Sequence, residues 1–551
     1  MPHSCSLTVS DLTFSWPDGD PVFDALSVIF PSGTTGLIGS NGAGKSTLLK
    51  LLAGELTPQR GSISMPGVLG YLRQDIALDP DLPVDSVLAI ASIREALHRI
   101  ESGTSTEDDF AIVGAAWDVE ERALALLDKL GLGHIVGSID DLDRRVGTLS
   151  GGEAMLLALT AQLLAEPDVL LLDEPTNNLD RVARERLYTA VDGFTGVLIV
   201  CTHDLELLER VDSIAEVRAE RSGISRLRMF GGNYHHYRAV IDAEQEAARA
   251  TIRDAKNDVR KQERELIDTR IKLDRRVRYG KKMEEQKREP KIVMGARKRA
   301  AQESAGKLRG THSDRVDDAR SSLSAAEDLL RDDREIRVDL PATKVHPGQV
   351  VLDSPELSIV GPERIALIGP NGSGKTTLLR TLHAVEAEVP WKYLPQRLDV
   401  FDETRSVAEN VADVAPHATV EQIRGRLARF LFRGSDADAI VATLSGGERL
   451  RAALARILLA EPAPKLLMLD EPTNNLDIAS RQHLIEALNT FEGALIIASH
   501  DRPFLDAIGP TRTIDLGAPA ESAESAESAE KAPAPGSQCD IWWPLRGSMS
   551  R

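Results

Sequence analysis

Three short segments occur twice in this chain, in the same order. GSNGAGKST begins at Gly39 and GPNGSGKTT at Gly369, LSGGE at Leu149 and Leu444, and DEPTNNLD at Asp173 and Asp470. A Gly-rich segment of this kind needs a strand before it and a helix after it, so a chain with two of them must build the same α/β unit twice. The copies are offset by 330 residues at the first motif, 295 at the second and 297 at the third, so the first copy carries about 35 extra residues between its first two motifs.

The first motif sets the chemistry. Gly39, Ser40, Asn41, Gly42, Ala43, Gly44, Lys45, Ser46 and Thr47 follow the strand-like TTGLI and precede LLKLLA. Gly369, Pro370, Asn371, Gly372, Ser373, Gly374, Lys375, Thr376 and Thr377 stand between RIALI and LLRTL in the same way. Both fit G-x-x-x-x-G-K-[ST], in which backbone N–H groups wrap phosphates at a helix N-terminus. Lys45 and Lys375 are expected to reach the β and γ phosphates of ATP, and Ser46 and Thr376 to hold Mg²⁺. Downstream, the apolar runs in VLLLDE and LLMLDE deliver Asp173 or Asp470 toward the metal, followed by Glu174 or Glu471 to polarise an attacking water. Two further apolar runs end alike, VLIVCTHD at His203 and ALIIASHD at His500, which argues against ordinary core histidines.

Composition matters where it is uneven. The net charge of −19 argues against nucleic-acid binding, yet residues 270–309 hold 15 Lys/Arg against 5 Asp/Glu, a local +10 that leaves −29 elsewhere. Flanking this stretch, Ile252, Val259, Leu266 and Leu273 recur every seven residues, as do Val316, Leu323 and Leu330. That spacing predicts two helices, about 35 residues each, pairing as an antiparallel coiled coil that projects about 50 Å. Ala255, Gln262 and Thr269 occupy the second heptad position, so the pairing is modest and solvated single helices are the alternative. Gly280, Pro290 and Gly295 are expected to interrupt the helices and make a basic tip, aimed at phosphates. Tyr279 is its one aromatic residue, which favours backbone and shape recognition of folded RNA over base stacking. Ile292, Val293 and Met294 between the basic clusters either pack against a partner or staple the loop to itself.

The expected division is 5–238, a linker 239–337, 338–517, and a small, acidic tail 518–551 expected to be disordered. No apolar run approaches the roughly 18 to 20 residues of a membrane helix, and the N-terminus has no signal-peptide pattern, so a cytoplasmic protein is expected. Cys5, Cys201 and Cys539 are too scattered for a metal site and are read as reduced thiols. The extra residues of the first copy, including ESGTSTEDDF, make either an arm or a plain surface insertion.

With LSGGE added, these residues resemble the ATP-binding-cassette superfamily over nearly all the chain outside linker and tail. The resemblance implies two P-loop ATP-binding-cassette domains in tandem, with an α-helical coiled-coil hairpin linker. It further implies that Gln74 and Gln396 serve the nucleotide and its metal, that Asp180 and Asp477 are D-loop residues, and that His203 and His500 sense the γ-phosphate. Trp16 resembles the aromatic that stacks on adenine, with His346 at the same offset in the second copy. Cassettes of this superfamily face head to tail, which assigns Ser150, Gly151 and Gly152 to the ATP on Lys375, and Ser445, Gly446 and Gly447 to the ATP on Lys45. The family arginine three residues after the signature is present as Arg451 but replaced by Leu156 in the first copy, which singles out hydrolysis at the second nucleotide as the weaker expectation.

Tandem cassettes with a charged linker, and GGNYHHY before it, resemble the ABC-F family of ribosome-associated ATPases, although Asn178 and Asn475 stand where that family usually has histidine. The resemblance implies ATP hydrolysis with Mg²⁺, docking in the ribosomal tRNA exit site, and a linker directed at peptidyl-site tRNA. General translation control and protection against an antibiotic both remain open. A transporter subunit served by separate membrane chains is the main alternative, and a DNA-repair ATPase a third.

Overall fold

The apolar runs that precede the motifs are the buried strands of two large sheets, parallel but for one antiparallel edge pair in the first. The computed structural model describes residues 6–74, 79–177, 179–220, 223–285, 307, 310–326, 341–370, 372–385, 387–396, 398, 400–474 and 476–517. The first half runs β1 (Leu7–Ser15), β2 (Pro21–Phe30), β3 (Gly33–Ile38), α1 (Lys45–Leu52), β4 (Arg60–Ser64), β5 (Leu69–Leu72), α2 (Val84–Val87), α3 (Ala91–Glu101), α4 (Glu107–Val113), α5 (Val119–Lys129), α6 (Gly151–Leu164), β6 (Val169–Asp173), α7 (Arg181–Asp192), β7 (Val197–Cys201), α8 (Leu205–Leu208), β8 (Ser213–Ala219) and β9 (Ser225–Gly231). Two linker helices follow, α9 (Tyr234–Glu285) and α10 (310–326). The second half runs β10 (Val350–Asp353), β11 (Ser358–Val360), β12 (Arg364–Ile368), α11 (Lys375–Ala384), β13 (Trp391–Leu394), α12 (Val407–Ala412), α13 (Val420–Leu427), α14 (Gly446–Leu458), β14 (Leu466–Asp470), α15 (Ile478–Asn489), β15 (Ala494–Ala498), α16 (Arg502–Ile508) and β16 (Arg512–Asp515).

The large sheets have the orders β5-β6-β7-β3-β8-β9 and β13-β14-β15-β12-β16. Every residue of β6, β7, β14 and β15 is buried, as strands covered on both faces require. Register does the positioning: Leu37 and Asp173 both pair with Cys201, and Leu367 and Asp470 both pair with Ala498. The glycine loop, the acidic pair and the histidine therefore leave each sheet at the carboxyl ends of neighbouring strands, where ligands of open α/β sheets bind.

The halves differ beside this shared frame. A three-stranded antiparallel sheet, β2-β1-β4, lies with the first, whereas the second has only β10-β11 among the described residues. The acidic insertion is helical and packed: Ala96, Leu97 and Val113 are in the first core, and Arg94, 3% exposed, contacts Asp85 (2.6 Å), Glu120 (2.7 Å) and Asp143 (2.7 Å).

In the linker one expectation is corrected. Gly280 does not interrupt the helix, because α9 runs 52 residues through it to Glu285. One glycine costs only about 1 kcal/mol relative to alanine, and helical neighbours on both sides offset it. Asn233 caps the start, accepting from the His236 N–H at 3.1 Å. Tyr237 anchors it, with its ring 5.0 Å from that of Phe230 and its hydroxyl 3.0 Å from Glu216 Oε1. Arg320 of α10 bonds Glu263 of α9 at 2.8 Å, and Ile252, Leu273, Val316, Ala319 and Ala326 are buried. Small alanines thus fill heptad positions where larger residues were lacking. The expected tip with Pro290, Gly295 and Ile292 to Met294 lies outside the described residues, as do Leu330, Cys5, Cys539 and the tail. Cys201 is a buried free thiol. Among the described residues no helix is long and apolar enough to cross a membrane.

Candidate functional site

Each glycine loop turns into its helix through a residue that only glycine fits easily. Gly44 and Gly374 precede α1 and α11 with φ of 92° in both copies, a left-handed conformation that a Cβ would strain. The lysine that follows folds back over the loop. Lys45 Nζ donates to Gly39 O (2.8 Å) and Ser40 O (3.1 Å), and Lys375 Nζ to Gly369 O (2.7 Å) and Pro370 O (3.1 Å). Neutral carbonyls hold these buried ammonium groups, Lys375 Nζ lying also 3.9 Å from Glu471 Oε1, and ammonium groups so placed suit an anionic ligand.

The first acid of each pair is buried, and burial raises its pKa. Asp173 Oδ1 has no hydrogen-bond partner among the described residues. Asp470 accepts from Thr376 Oγ1 at 3.2 Å and from the Tyr393 hydroxyl at 3.1 Å. A buried carboxylate beside a loop hydroxyl is an oxygen donor set that fits a hard divalent cation. Among the described residues no group of three or more His, Cys, Asp or Glu could hold a metal, so such a cation would rely on hydroxyls and nucleotide oxygens as well. Gln74 lines the same cavity as Lys45 and Ser46, whereas Gln396 is exposed at the end of β13.

The second acid of each pair sits on strained backbone. Glu174 has φ 49° and Glu471 φ 45°, and each N–H is pinned at 2.8 Å to a carbonyl of the next strand, Cys201 O or Ala498 O. Burial pushes the Glu174 carboxyl up to about 8, against the pull of Lys45. Burial, and then Lys45, push His203 down to about 3. In the first site His203 Nε2 lies 3.3 Å from Glu174 Oε1. The second site differs: His500 presents Nδ1 to Glu471 Oε2 at 2.8 Å and Nε2 to Arg184, from the first half, at 2.6 Å.

The halves meet at the first loop. A cavity of about 580 Å³ is bordered by Trp16, Lys45, Ser46, Gln74, Glu174 and His203 from the first half and Gly446 from the second. Asp477 of the second half accepts from the Asn41 N–H at 2.9 Å while capping α15 through Ser480 N at 2.8 Å. Burial opposes ionisation of Asp477, but the bonds from Ser480 and Asn41 hold its pKa below the usual carboxylate range. A Cβ at Gly447 would lie 2.1 Å from Ser480 Oγ, so any larger residue there would have to turn that hydroxyl aside. Ser445 and Ser150 cap α14 and α6 in capping boxes with Glu448 and Glu153. At the other loop, no hydrogen bond or ion pair among the described residues joins Ser150, Gly151 or Gly152 to Lys375, and Asn371 lies outside the described residues. Trp16 stands 38% exposed at the cavity, edge-on to Phe14 at 5.3 Å. His346 is an exposed turn residue whose N–H meets Gln349 Oε1 at 3.4 Å, and no described contact brings it to the Lys375 loop.

Residues 24–177 and 352–474 match the ABC transporter family model. The chain is 32% identical to the tylosin resistance ATP-binding protein TlrC of Streptomyces fradiae, over 91% of this chain and 95% of that one. The chain belongs to the ABC-F family of ATP-binding proteins. It is also 31% identical to the energy-dependent translational throttle protein EttA of Escherichia coli O6:H1, covering 87% and 86% of the two chains. Against the probable ATP-binding protein YheS of Escherichia coli K12 it is 31% identical, covering 88% and 74%. This ABC-F protein is thus a tandem ATPase that binds and hydrolyses ATP.

Several neighbours of the ABC-F sites were not singled out from sequence. Arg184 lies four residues past Asp180, inside an ordinary amphipathic helix, and nothing local distinguishes it. Tyr393 and its counterpart Tyr71 stand one residue before the ends of β13 and β5 and three before Gln396 and Gln74, which was a usable signal. Cys201, 3.9 Å from Glu174 Oε1, looked like any strand residue, and burial pushes its thiol well above the ordinary range. Leu156 is buried in the first core, whereas Arg451 lies 5.7 Å over the Phe432 ring and 4.0 Å from Glu448. Asn178 and Asn475 lie outside the described residues.

Proposed function

We propose that this ABC-F ATPase acts on the ribosome, docking with its cassettes closed on ATP at the tRNA exit site and directing its linker toward peptidyl-site tRNA. Hydrolysis then opens the cassettes and releases the protein, in the service of translation control or of protection against an antibiotic. The observation that carries the reading is the linker: residues 270–309 hold +10 of charge in a chain of net −19, and this stretch begins on a 52-residue helix that is continuous to Glu285. Such a segment meets phosphates, and its charge is placed where a cassette pair alone has no use for it. Two relatives bear names that agree, one of a translational throttle and one of tylosin resistance. A transporter subunit would need membrane chains and leaves the basic segment without a role.

In this reading the chain divides into 5–238, 239–337, 338–517 and 518–551. Lys45 and Lys375 hold the β and γ phosphates, and Gly39 to Thr47 and Gly369 to Thr377 wrap them. Asp173 with Ser46 and Gln74, and Asp470 with Thr376 and Gln396, would hold Mg²⁺, which when bound neutralises charge on the phosphates. Glu174 and Glu471 take the proton of the attacking water, and His203 and His500 orient that carboxylate against the γ-phosphate. Ser150, Gly151 and Gly152 close over the second ATP, and Ser445, Gly446 and Gly447 over the first.

The test is sedimentation. Glu174→Gln with Glu471→Gln should cofractionate with ribosomes in ATP and stop growth, because the closed form cannot reset. The same variant floating free of ribosomes, or pelleting with membranes, would sink the ribosomal reading while leaving the ATPase intact. Replacing Arg275, Arg276, Lys281, Lys282, Arg297 and Lys298 by alanine should leave ATP affinity unchanged and flatten the salt dependence of ribosome binding.

A further inference from the structure

His500 is held by a residue of the other half. Arg184 Nη2 lies 2.6 Å from His500 Nε2, and a guanidinium has only donors, so Nε2 must be the acceptor. The proton of the neutral ring is then on Nδ1, 2.8 Å from Glu471 Oε2 though off the line of a straight hydrogen bond. We propose that Arg184 of the first cassette is a positioning residue, acting in trans, for hydrolysis of the ATP held by the second.

Arg184 is well placed for such a task because it is itself fixed. Its Nη1 lies 3.2 Å from Asp204 Oδ2 and its Nε donates to Leu179 O at 3.2 Å. Asp204 also accepts from the Tyr188 hydroxyl at 2.8 Å, and Asp180 caps α7 through the Ala183 N–H at 3.0 Å. Asp204 directly follows His203. A continuous chain of contacts thus runs from the turn that carries the first switch histidine, through Asp204 and Arg184, to the second switch histidine and its glutamate. The counterpart of Arg184 is Arg481, four residues past Asp477, and it bonds Asp501 of its own cassette at 2.9 Å. His203 makes no hydrogen bond through either ring nitrogen among the described residues. Among the described residues, the hydrogen bond to a switch histidine therefore runs from the first cassette to the second, while Asp477 of the second cassette reaches His203 through its charge and the first loop through Asn41.

The consequence is a conditional active site. With α7 in place, His500 keeps its proton toward Glu471 and cannot rotate. Withdrawal of α7 as the cassettes part removes the bond that Nε2 accepts and frees the ring, so the second ATP is cleaved faster while Arg184 is docked on His500. The inference goes beyond the ribosomal reading but rests on Glu471 as the base of the second site.

The experiment is a pair of double-mutant cycles in the full-length protein, read by single-turnover ATP cleavage with ATP affinity measured alongside. Arg184→Ala should slow cleavage roughly tenfold, the scale of a lost charge-assisted hydrogen bond, with ATP affinity within about twofold. Added to His500→Ala it should cost less than about twofold more, whereas its effect should be additive with His203→Ala. Arg184→Met, which keeps the aliphatic stem, should behave like the alanine variant and guards against a folding defect. Additivity with His500→Ala, or coupling to His203→Ala instead, would overturn the proposal, since a merely structural role through Asp204 acts on the first site. Glu471→Gln run in the same assay separates the two ideas: unchanged cleavage there would refute the base assignment, whatever Arg184 does.

Discussion

The two cassettes agree where backbone is constrained and disagree where side chains meet. Gly44 and Gly374 share a φ of 92°, and Glu174 and Glu471 lie within 4° of each other in the left-handed region. Their surroundings differ among the described residues: His203 has no hydrogen bond to its ring where His500 is gripped by Arg184, Asp173 Oδ1 has no partner where Asp470 takes two hydroxyl bonds, and buried Leu156 stands for Arg451. Duplication has preserved the strained geometry that aims the reacting groups and let the contacts that tune them drift. The lesson is that equivalent motifs do not make equivalent sites.

The largest effect should come from removing what the halves share. Glu174→Gln with Glu471→Gln should lower turnover at least about 100-fold, the contribution of a general base, while equilibrium ATP binding persists. Wild-type turnover in that variant would erase the comparison altogether. Next is a feature the second half lacks: Arg94→Met strands three carboxylates around a vacated cation and should destabilise the first cassette by about 3–5 kcal/mol, seen as an early transition in urea unfolding.

Smaller effects probe the asymmetry itself. In the proposed function the signature helix with Leu156 closes over the second ATP, so Glu471→Gln alone should cost less steady-state hydrolysis than Glu174→Gln alone, by a few-fold, and equal losses would remove that argument. The tyrosines give the finest contrast. Tyr393→Phe removes a hydroxyl bonded to Asp470 and should cost about 1 kcal/mol by thermal unfolding, whereas Tyr71→Phe removes a buried hydroxyl with no described partner and should be neutral or slightly stabilising.

Much of this was legible in sequence because the signals were local. The glycine loops, the buried strands ending in Asp173 and Asp470, and the histidines two residues past a strand are each defined by neighbours in the chain, and register brings them together. The contacts between Asn41 and Asp477 and between Arg184 and His500 span 436 and 316 residues, and no local pattern announces a partner at that distance. Gly280 misled for the opposite reason: its helix-breaking tendency is local and weak, and a long helix overrides it. The insertion stayed ambiguous because its acidic composition describes a surface, while Arg94 and the apolar faces beneath it decide the packing.

The rooting of α9 has a mechanical consequence. A helix of 52 residues is about 78 Å long, and its base is clamped to β8 and β9 of the first cassette by Tyr237. Tilting that base by a single degree sweeps the far end through about 1.4 Å, given that length. Rotations of a few degrees, small enough to escape notice between two cassettes, become displacements larger than a hydrogen bond at the other end. In the proposed function, any turn of the first cassette that accompanies ATP cleavage is a short arm whose stroke this long arm would multiply.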